Sequence, residues 1–152
     1  MEENYERALE LGKQLDDDQK IFEATRGLWV CHFIRADLVK AHNLGVQLLE
    51  LAERTDRNET ADQARQRTGH LIEAHRALGQ TMLYSGRFVA SRAHFERGFS
   101  LYNPRLHGSL IEIHGIDPGI VCLSYLGYLL WFLGCPDQAR EYSKQATMDA
   151  GG

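Results

Sequence analysis

The chain has 152 residues, of which 43% are hydrophobic and 25% are charged, as is typical of one soluble domain with an apolar core. The formal net charge of -4 is spread without long blocks of one sign, which argues against a nucleic-acid interface, where a basic stripe is expected. Three cysteines, an odd number with no CxxC spacing, indicate reduced thiols in a cytoplasmic protein and do not imply a disulfide framework.

The apolar pattern predicts helices along nearly the whole chain. A stripe from Tyr5 to Leu15 predicts a first helix that ends near Leu15 and is followed by a turn at the aspartates 16–18. A strongly apolar second helix is predicted over 21–34, and leucines with 3–4 spacing predict a third over 38–51. The second and third helices are expected to form a hairpin.

The stretch 54–68 is polar and has no apolar stripe, so two interpretations stay open, a long connection or a solvated helical extension, and we expect poor order there. After it, helices over 70–84 and 88–102 are predicted to form a second hairpin, with Gly86 supplying the positive φ of the turn. Helices over 120–133 and 136–148 are predicted to form a third hairpin around Gly134. The apolar run 120–133 is too short to span a bilayer.

An internal repeat relates the second and third hairpins. The small residues Gly79, Gly86 and Ser91 return 48 residues later as Gly127, Gly134 and Ala139. Small residues where two helices cross, followed by a tight turn and a second helix, indicate stacked helical hairpins. In the first hairpin the small-residue position falls on Trp29 or Gly27, so that hairpin fits the pattern loosely.

These residues resemble the tetratricopeptide repeat. A frame of that repeat starting at Ile72 places its packing aromatic on Phe95, whereas the frame starting at Ile120 departs at Pro136 and Ser143. The resemblance implies an all-α, right-handed α-α superhelix of about seven helices in one domain, 1–152. Its expected parts are a partial repeat 1–18, a degenerate repeat 19–54, a polar connection 55–69, a repeat 70–105, an insertion 106–119 and a repeat 120–150.

Within most of 4–148, the segments 71–79, 101–104, 117–119 and 122–139 more narrowly resemble the repeat regions of large bacterial signalling proteins. In those proteins the repeats follow a nucleotide-binding ATPase module, often behind an adenylyl-cyclase or transcription-factor domain. The chain itself has no GxxxxGK[ST] motif. The resemblance therefore implies a regulatory, non-catalytic fragment that binds a protein partner.

The histidines and serines give weak signals for chemistry. His107 and His114 share a face if their segment is helical, but two ligands without a third make a metal site the weaker interpretation. Asp117 is better explained as the N-cap of the next helix, with Pro118 in its first turn. The serines lie inside helices without a nucleophile elbow. We expect no catalytic residue, cofactor or metal.

First helices of stacked hairpins line the concave side, which gives a candidate partner groove. Its residues are Glu73, Arg76, Gln80, Tyr84, Tyr125, Tyr128, Trp131 and Phe132. One wall is polar and the other aromatic, and Arg and aromatic residues are enriched at protein contacts. A peptide or partner domain is the expected ligand.

Other interpretations of these residues stay open. Trp131 and Phe132 could simply pack against a further repeat, and the aromatic end could instead hold a small-molecule effector. The chain could also be a structural spacer or self-association unit. Because the helix 120–133 is apolar almost all round, its uncovered part predicts a homodimer through the C-terminal hairpin.

Overall fold

The computed structural model describes residues 1–54, 59–107 and 117–150. Within these ranges the chain is helical without a strand, which confirms the all-helical class. A single helical turn, Pro104–His107, follows the fifth of the seven long helices. The long helices are α1 (Glu2–Gln14), α2 (Asp18–Ile34), α3 (Leu38–Glu53), α4 (Ala61–Tyr84), α5 (Phe88–Leu101), α6 (Pro118–Phe132) and α7 (Pro136–Ala150).

One type of turn joins α1 to α2, α2 to α3, α4 to α5 and α6 to α7. Its middle residue has a positive φ: Asp16 (50°), Ala36 (59°), Gly86 (74°) and Gly134 (75°). The residue after it donates its backbone N–H to a carbonyl five positions back, as Arg87 does to Met82 at 2.8 Å. This hydrogen bond satisfies a carbonyl that would otherwise be unpaired at the end of the helix. The predicted glycine turns at Gly86 and Gly134 are confirmed.

Side-chain caps fix where several helices begin. The Asp117 carboxylate accepts hydrogen bonds from the backbone N–H groups of Gly119 and Ile120 at 2.9 and 3.1 Å, which confirms it as an N-cap. Thr60 and Gln63 form a reciprocal capping box, so α4 begins at Ala61 rather than at His70. Of the two interpretations of the polar stretch, the helical extension is therefore correct over 61–68. Residues 55–58 and most of the expected insertion, 108–116, lie outside the described residues.

Each long helix packs against the next along the chain, and α4 also contacts α6 and, less extensively, α2. One apolar cluster lies between α2, α3 and α4 and contains Phe22, Trp29, Ala41, Leu48, Ala52, Ala74 and Ala77. A second joins Leu83 of α4 and Phe95 of α5 to Cys122, Leu126 and Leu129 of α6. Helix α4 contributes to both clusters and so links the two halves of the core.

Glycines allow the close helix crossings that the repeat predicts. A Cβ atom added to Gly79 would lie 2.7 Å from the Phe95 ring, and one added to Gly127 would lie 2.5 Å from Ser143 Oγ. The Ser91 hydroxyl donates to the Gly79 carbonyl at 2.8 Å, which ties α5 to α4 at the same crossing. The expected close approach at both glycines is confirmed.

At the equivalent crossing the first hairpin has a large residue instead of a glycine. Trp29 precedes Ala36 by seven positions, as Gly79 precedes Gly86, so a buried indole occupies the place of the small residue. Gly27 instead faces α1, where an added Cβ would collide with the Tyr5 ring. Of the two candidates, Trp29 therefore occupies the position equivalent to Gly79.

Helix α6 is buried along one side and open on another. Its buried residues include Cys122, Leu123, Leu126, Leu129 and Leu130. Among the helices in the described ranges, none combines the length and the apolar character that crossing a membrane would need. The exposed side of α6 is aromatic and is described below.

We expect Gly79→Leu to lower the free energy of unfolding by about 1–3 kcal/mol, because the new side chain would overpack the contact with Phe95. Urea unfolding measures the difference. The control, Val89→Leu, adds bulk on the exposed face of α5 and should change stability by less than about 0.5 kcal/mol. Equal stability of Gly79→Leu and wild type would contradict the close crossing.

Candidate interaction surface

The structure divides the eight predicted groove residues into a buried set and an exposed set. Glu73, Arg76 and Gln80 have exposed fractions of 0%, 3% and 7%. In contrast, Tyr84, Tyr128, Trp131 and Phe132 are 53–66% exposed, while Tyr125 is half-buried between the two sets. The expected open polar wall is therefore corrected: its side chains are internal, because they bind one another and a cation from α2.

Glu73, Arg76, Gln80 and Arg26 form a buried ion-pair network. The Glu73 carboxylate accepts from Arg26 Nε at 2.8 Å and from Arg76 at 2.8 and 2.5 Å. Arg76 also donates to the Gln80 side-chain oxygen at 2.5 Å. The Arg–Glu hydrogen bonds, in which both groups are charged, are stronger than neutral ones and offset part of the cost of removing the charges from water.

The Trp29 ring packs against the Arg76 guanidinium. The guanidinium lies 5.0 Å from the centre of the Trp29 ring, within the range of a cation–π contact. The Trp29 indole N–H donates to the Thr81 hydroxyl at 3.0 Å, which holds the ring in place. Burial disfavours the charge on Arg76, but the pairing with Glu73 outweighs it and raises the pKa of the guanidinium. Burial raises the pKa of the nearby Glu23 carboxyl.

Aromatic rings near the helix ends form an aromatic surface, defined here as the exposed Tyr84, Tyr128, Trp131 and Phe132 together with the half-buried Phe33 and Phe88. Phe33 meets Tyr84 edge-on at 5.4 Å between ring centres, and Tyr128 meets Phe132 edge-on at 4.8 Å. Phe132 in turn stacks on Phe88 at 5.8 Å. The surface thus extends along the C-terminal ends of α2, α4 and α6 to the start of α5.

Tyr125 anchors this surface to the core. It stacks on the buried Phe95 ring at 5.3 Å. A hydrogen bond between its side chain and that of Tyr84 raises the pKa of the Tyr84 hydroxyl. Because Tyr125 is half-buried and stacks on a core ring, we count it as support for the aromatic surface rather than as part of it.

The sequence prediction did not include Phe33, Phe88 and Arg26. Phe33 lies three positions before the positive-φ residue of its turn, as Leu83 and Trp131 do, so the repeat register held a signal for it. Phe88 begins α5 and joins the aromatic surface through its contact with Phe132, which the distant helix α6 supplies. Arg26 is 47 residues from Glu73 in the chain, and no local pattern predicts that pairing.

Three histidines, His70, His75 and His94, take part in helix packing. His70 stacks on Phe22, with 3.9 Å between ring centres. His75 of α4 and His94 of α5 approach each other with 3.0 Å between their Nδ1 atoms. Across residues 1–54, 59–107 and 117–150, no three His, Cys, Asp or Glu side chains are grouped to hold a metal ion. His114 lies outside the described residues, and only the backbone of His107 is described.

A cavity of about 700 Å³ lies between the start of α4 and the end of α5. Its lining includes Arg65, Thr68, Ser100, Tyr102 and Leu106. Tyr84 stands at the other end of the long helix α4, so this cavity is not the aromatic end of the expected groove.

Comparisons of the chain with protein-family models, with curated proteins and with solved structures find no match.

Removing the acid of the ion-pair network should be strongly destabilising. We expect Glu73→Ala to cost about 3–5 kcal/mol of unfolding free energy, because it leaves two arginines without their carboxylate, one of them fully buried. Chemical denaturation measures this. The control, Glu96→Ala, breaks a similar but largely exposed pair with Arg92 and should cost at most about 1 kcal/mol. Similar losses in the two variants would contradict a buried network.

The histidine pair should make stability depend on pH. Burial, aided by His94 and Arg97, lowers the pKa of His75 from 6.5 to about 4, and burial also lowers the pKa of His94. The unfolded chain therefore takes up protons first, so stability is complete above pH 6.5 and falls between pH 6.5 and about 4. The loss should be on the order of 1–2 kcal/mol, because both rings are partly solvated. Thermal melts of His75→Asn should vary less with pH than those of wild type, and parallel profiles would contradict this.

Proposed function

We propose that the chain is a non-catalytic protein-interaction module whose partner binds the aromatic surface. The observation that carries the proposal is the exposure of large rings at the C-terminal ends of α4 and α6, of which Tyr128 and Phe132 contact each other. Tyr128, Trp131 and Phe132 are each more than half exposed although they lie on one of the most apolar helices of the chain. Contiguous exposed aromatic residues mark protein contact sites, since covering them releases a large apolar area from water.

We further propose that the helices form a right-handed superhelical solenoid of the tetratricopeptide type. Three features support this architecture: packing of each helix on the next, the same turn at four positions, and the contact of α4 with α6 across a hairpin. Stacked hairpins of this kind present extended surfaces for partners. The neighbouring first helices bring the aromatic residues of α2, α4 and α6 to one side.

The chemistry of the buried polar groups supports a role without catalysis. Burial raises the pKa of the Cys122 thiol to about 12, so it carries no thiolate at neutral pH. The Glu73 carboxylate is hydrogen-bonded to two arginines, and the Nδ1 atoms of His75 and His94 are in contact. In this proposal the module belongs to a larger cytoplasmic bacterial signalling protein, and the free thiols Cys31, Cys122 and Cys135 suit a reducing compartment.

Self-association through the C-terminal hairpin is a second candidate function. The observation that favours it is the position of Tyr128, Trp131 and Phe132 on α6, where two copies could meet around a two-fold axis. The same rings would then be covered by a second chain instead of a different partner.

Site-specific photo-crosslinking in cells tests the proposed function. A photoreactive amino acid in place of Trp131 or Tyr128 should yield a discrete crosslinked product, because both positions face the partner. The controls replace Val39 on α3 and Val89 on α5, which are at least as exposed as Trp131 but lie outside the aromatic surface. These should give no such product.

The mass of the product separates the two candidates. A product of twice the mass of this chain would support self-association, and any other discrete mass would support a different partner. Equal products from Val89 and Trp131, or none from Trp131 and Tyr128, would contradict an interaction role for the aromatic surface.

A further inference from the structure

The two hairpins α4–α5 and α6–α7 are built alike. Gly79 and Gly127 occupy the same place before their turns, and Gly86 and Gly134 have φ angles of 74° and 75°. The turn hydrogen bonds also correspond, at 2.8 Å for Arg87 to Met82 and 2.9 Å for Cys135 to Leu130. Positions 48 residues apart can therefore be compared directly between these hairpins.

Helix α6 covers the first of these hairpins. Leu83 of α4 and Phe95 of α5 share an apolar cluster with Cys122, Leu126 and Leu129 of α6. As a result Leu83 is only 7% exposed and Phe95 is fully buried. Gln80, one helical turn before Leu83, is also 7% exposed, and its side-chain oxygen accepts a hydrogen bond from the buried Arg76.

The corresponding positions on α6 are uncovered and aromatic. Trp131 corresponds to Leu83 and is 66% exposed, and Tyr128 corresponds to Gln80 and is 57% exposed. Tyr84 and its counterpart Phe132 are exposed in both hairpins, so their exposure is a shared feature of the repeat. Leu83 and Trp131 thus differ in exposure at a position that a following helix covers in the first of these hairpins.

From this correspondence we infer that the occupant of the α6 part of the aromatic surface is an amphipathic α-helix of a protein partner. That helix packs on Tyr128 and Trp131 as α6 packs on α4 and α5, so the docking site continues an interface already present inside the chain. The inference rests on the proposed function and specifies the kind of partner.

The chain itself gives the pattern that such a helix needs. Helix α6 presents Cys122, Tyr125, Leu126 and Leu129 to the preceding hairpin, which are positions i, i+3, i+4 and i+7 of one helical face. We therefore expect apolar side chains with this spacing in the partner helix.

One change in α7 refines the pattern. Ser143 stands where α5 has Phe95, and its hydroxyl already donates to the Ala139 carbonyl at 2.8 Å. In the first hairpin, Tyr125 stacks on Phe95 at this point. Because Ser143 is small and its donor is satisfied, a bulky aromatic residue of the partner helix fits over it.

A designed peptide tests this inference. It has about 16 residues, with Leu, Tyr, Leu and Leu at the spacing of Cys122, Tyr125, Leu126 and Leu129, and Glu or Lys elsewhere. Fluorescence anisotropy of the dye-labelled peptide gives its dissociation constant for the intact chain. Trp131 emission should shift to the blue on binding, whereas the buried Trp29 contributes a constant signal. A peptide of the same composition with its apolar spacing scrambled is the matched control.

We expect the scrambled peptide and the Trp131→Ala variant each to weaken binding by about tenfold or more, while Val89→Ala leaves it unchanged. The exposure of Trp131 lets this variant fold, which circular dichroism checks. Absence of binding by the periodic peptide, or equal binding of both peptides, would overturn the inference.

Sedimentation of the protein alone tests whether a second copy of the chain covers the surface. A dimer that Trp131→Ala converts to a monomer would show a second copy on this surface and would also overturn the inference. If Trp131 crosslinks a cellular partner but the periodic peptide fails to bind, the helix inference fails while the proposed function stands.

Discussion

The packing of helix α4 on four other helices is the constraint on which the rest of the structure depends. Such a position removes nearly every side chain of its C-terminal half from water, yet Glu73 and Arg76 lie there. A lone buried charge would cost several kcal/mol, so α4 can be central only because these two are paired with each other and with Arg26. The ion-pair network thereby also fixes how α2 lies against α4.

This arrangement separates two kinds of chemistry that lie next to each other in the sequence. The charges turn inward and specify how the helices pack, while the rings at the helix ends turn outward and remain available. Tyr125 connects the two levels, since it stacks on the buried Phe95 and hydrogen-bonds to the exposed Tyr84. A partner that binds the aromatic surface would therefore meet rings already held in position, which lowers the entropy lost on binding.

The hairpins show how one backbone plan accommodates different side chains. The positive-φ turn recurs whether its middle residue is glycine, alanine or aspartate, because its backbone hydrogen bonds do not depend on the side chain. The helix crossing is less tolerant. It uses a glycine facing Phe95 or Ser143 in the later hairpins and a buried Trp29 at the same place in the first. That exchange in volume explains why the first hairpin fits the repeat pattern loosely.

Sequence alone determined what short-range interactions control: the apolar periodicity of the helices, the glycine turns and the Asp117 cap all act within a few residues of the chain. The early start of α4 is also set locally, by the capping box at Thr60. Apolar periodicity did not locate it, because the first turns of α4 are polar and have no apolar stripe. Only the tertiary structure decided which groove residues face solvent. Burial of Arg76 requires Glu73 and the distant Arg26 together, and exposure of Trp131 depends on which helices cover α6, which periodicity within one helix does not encode.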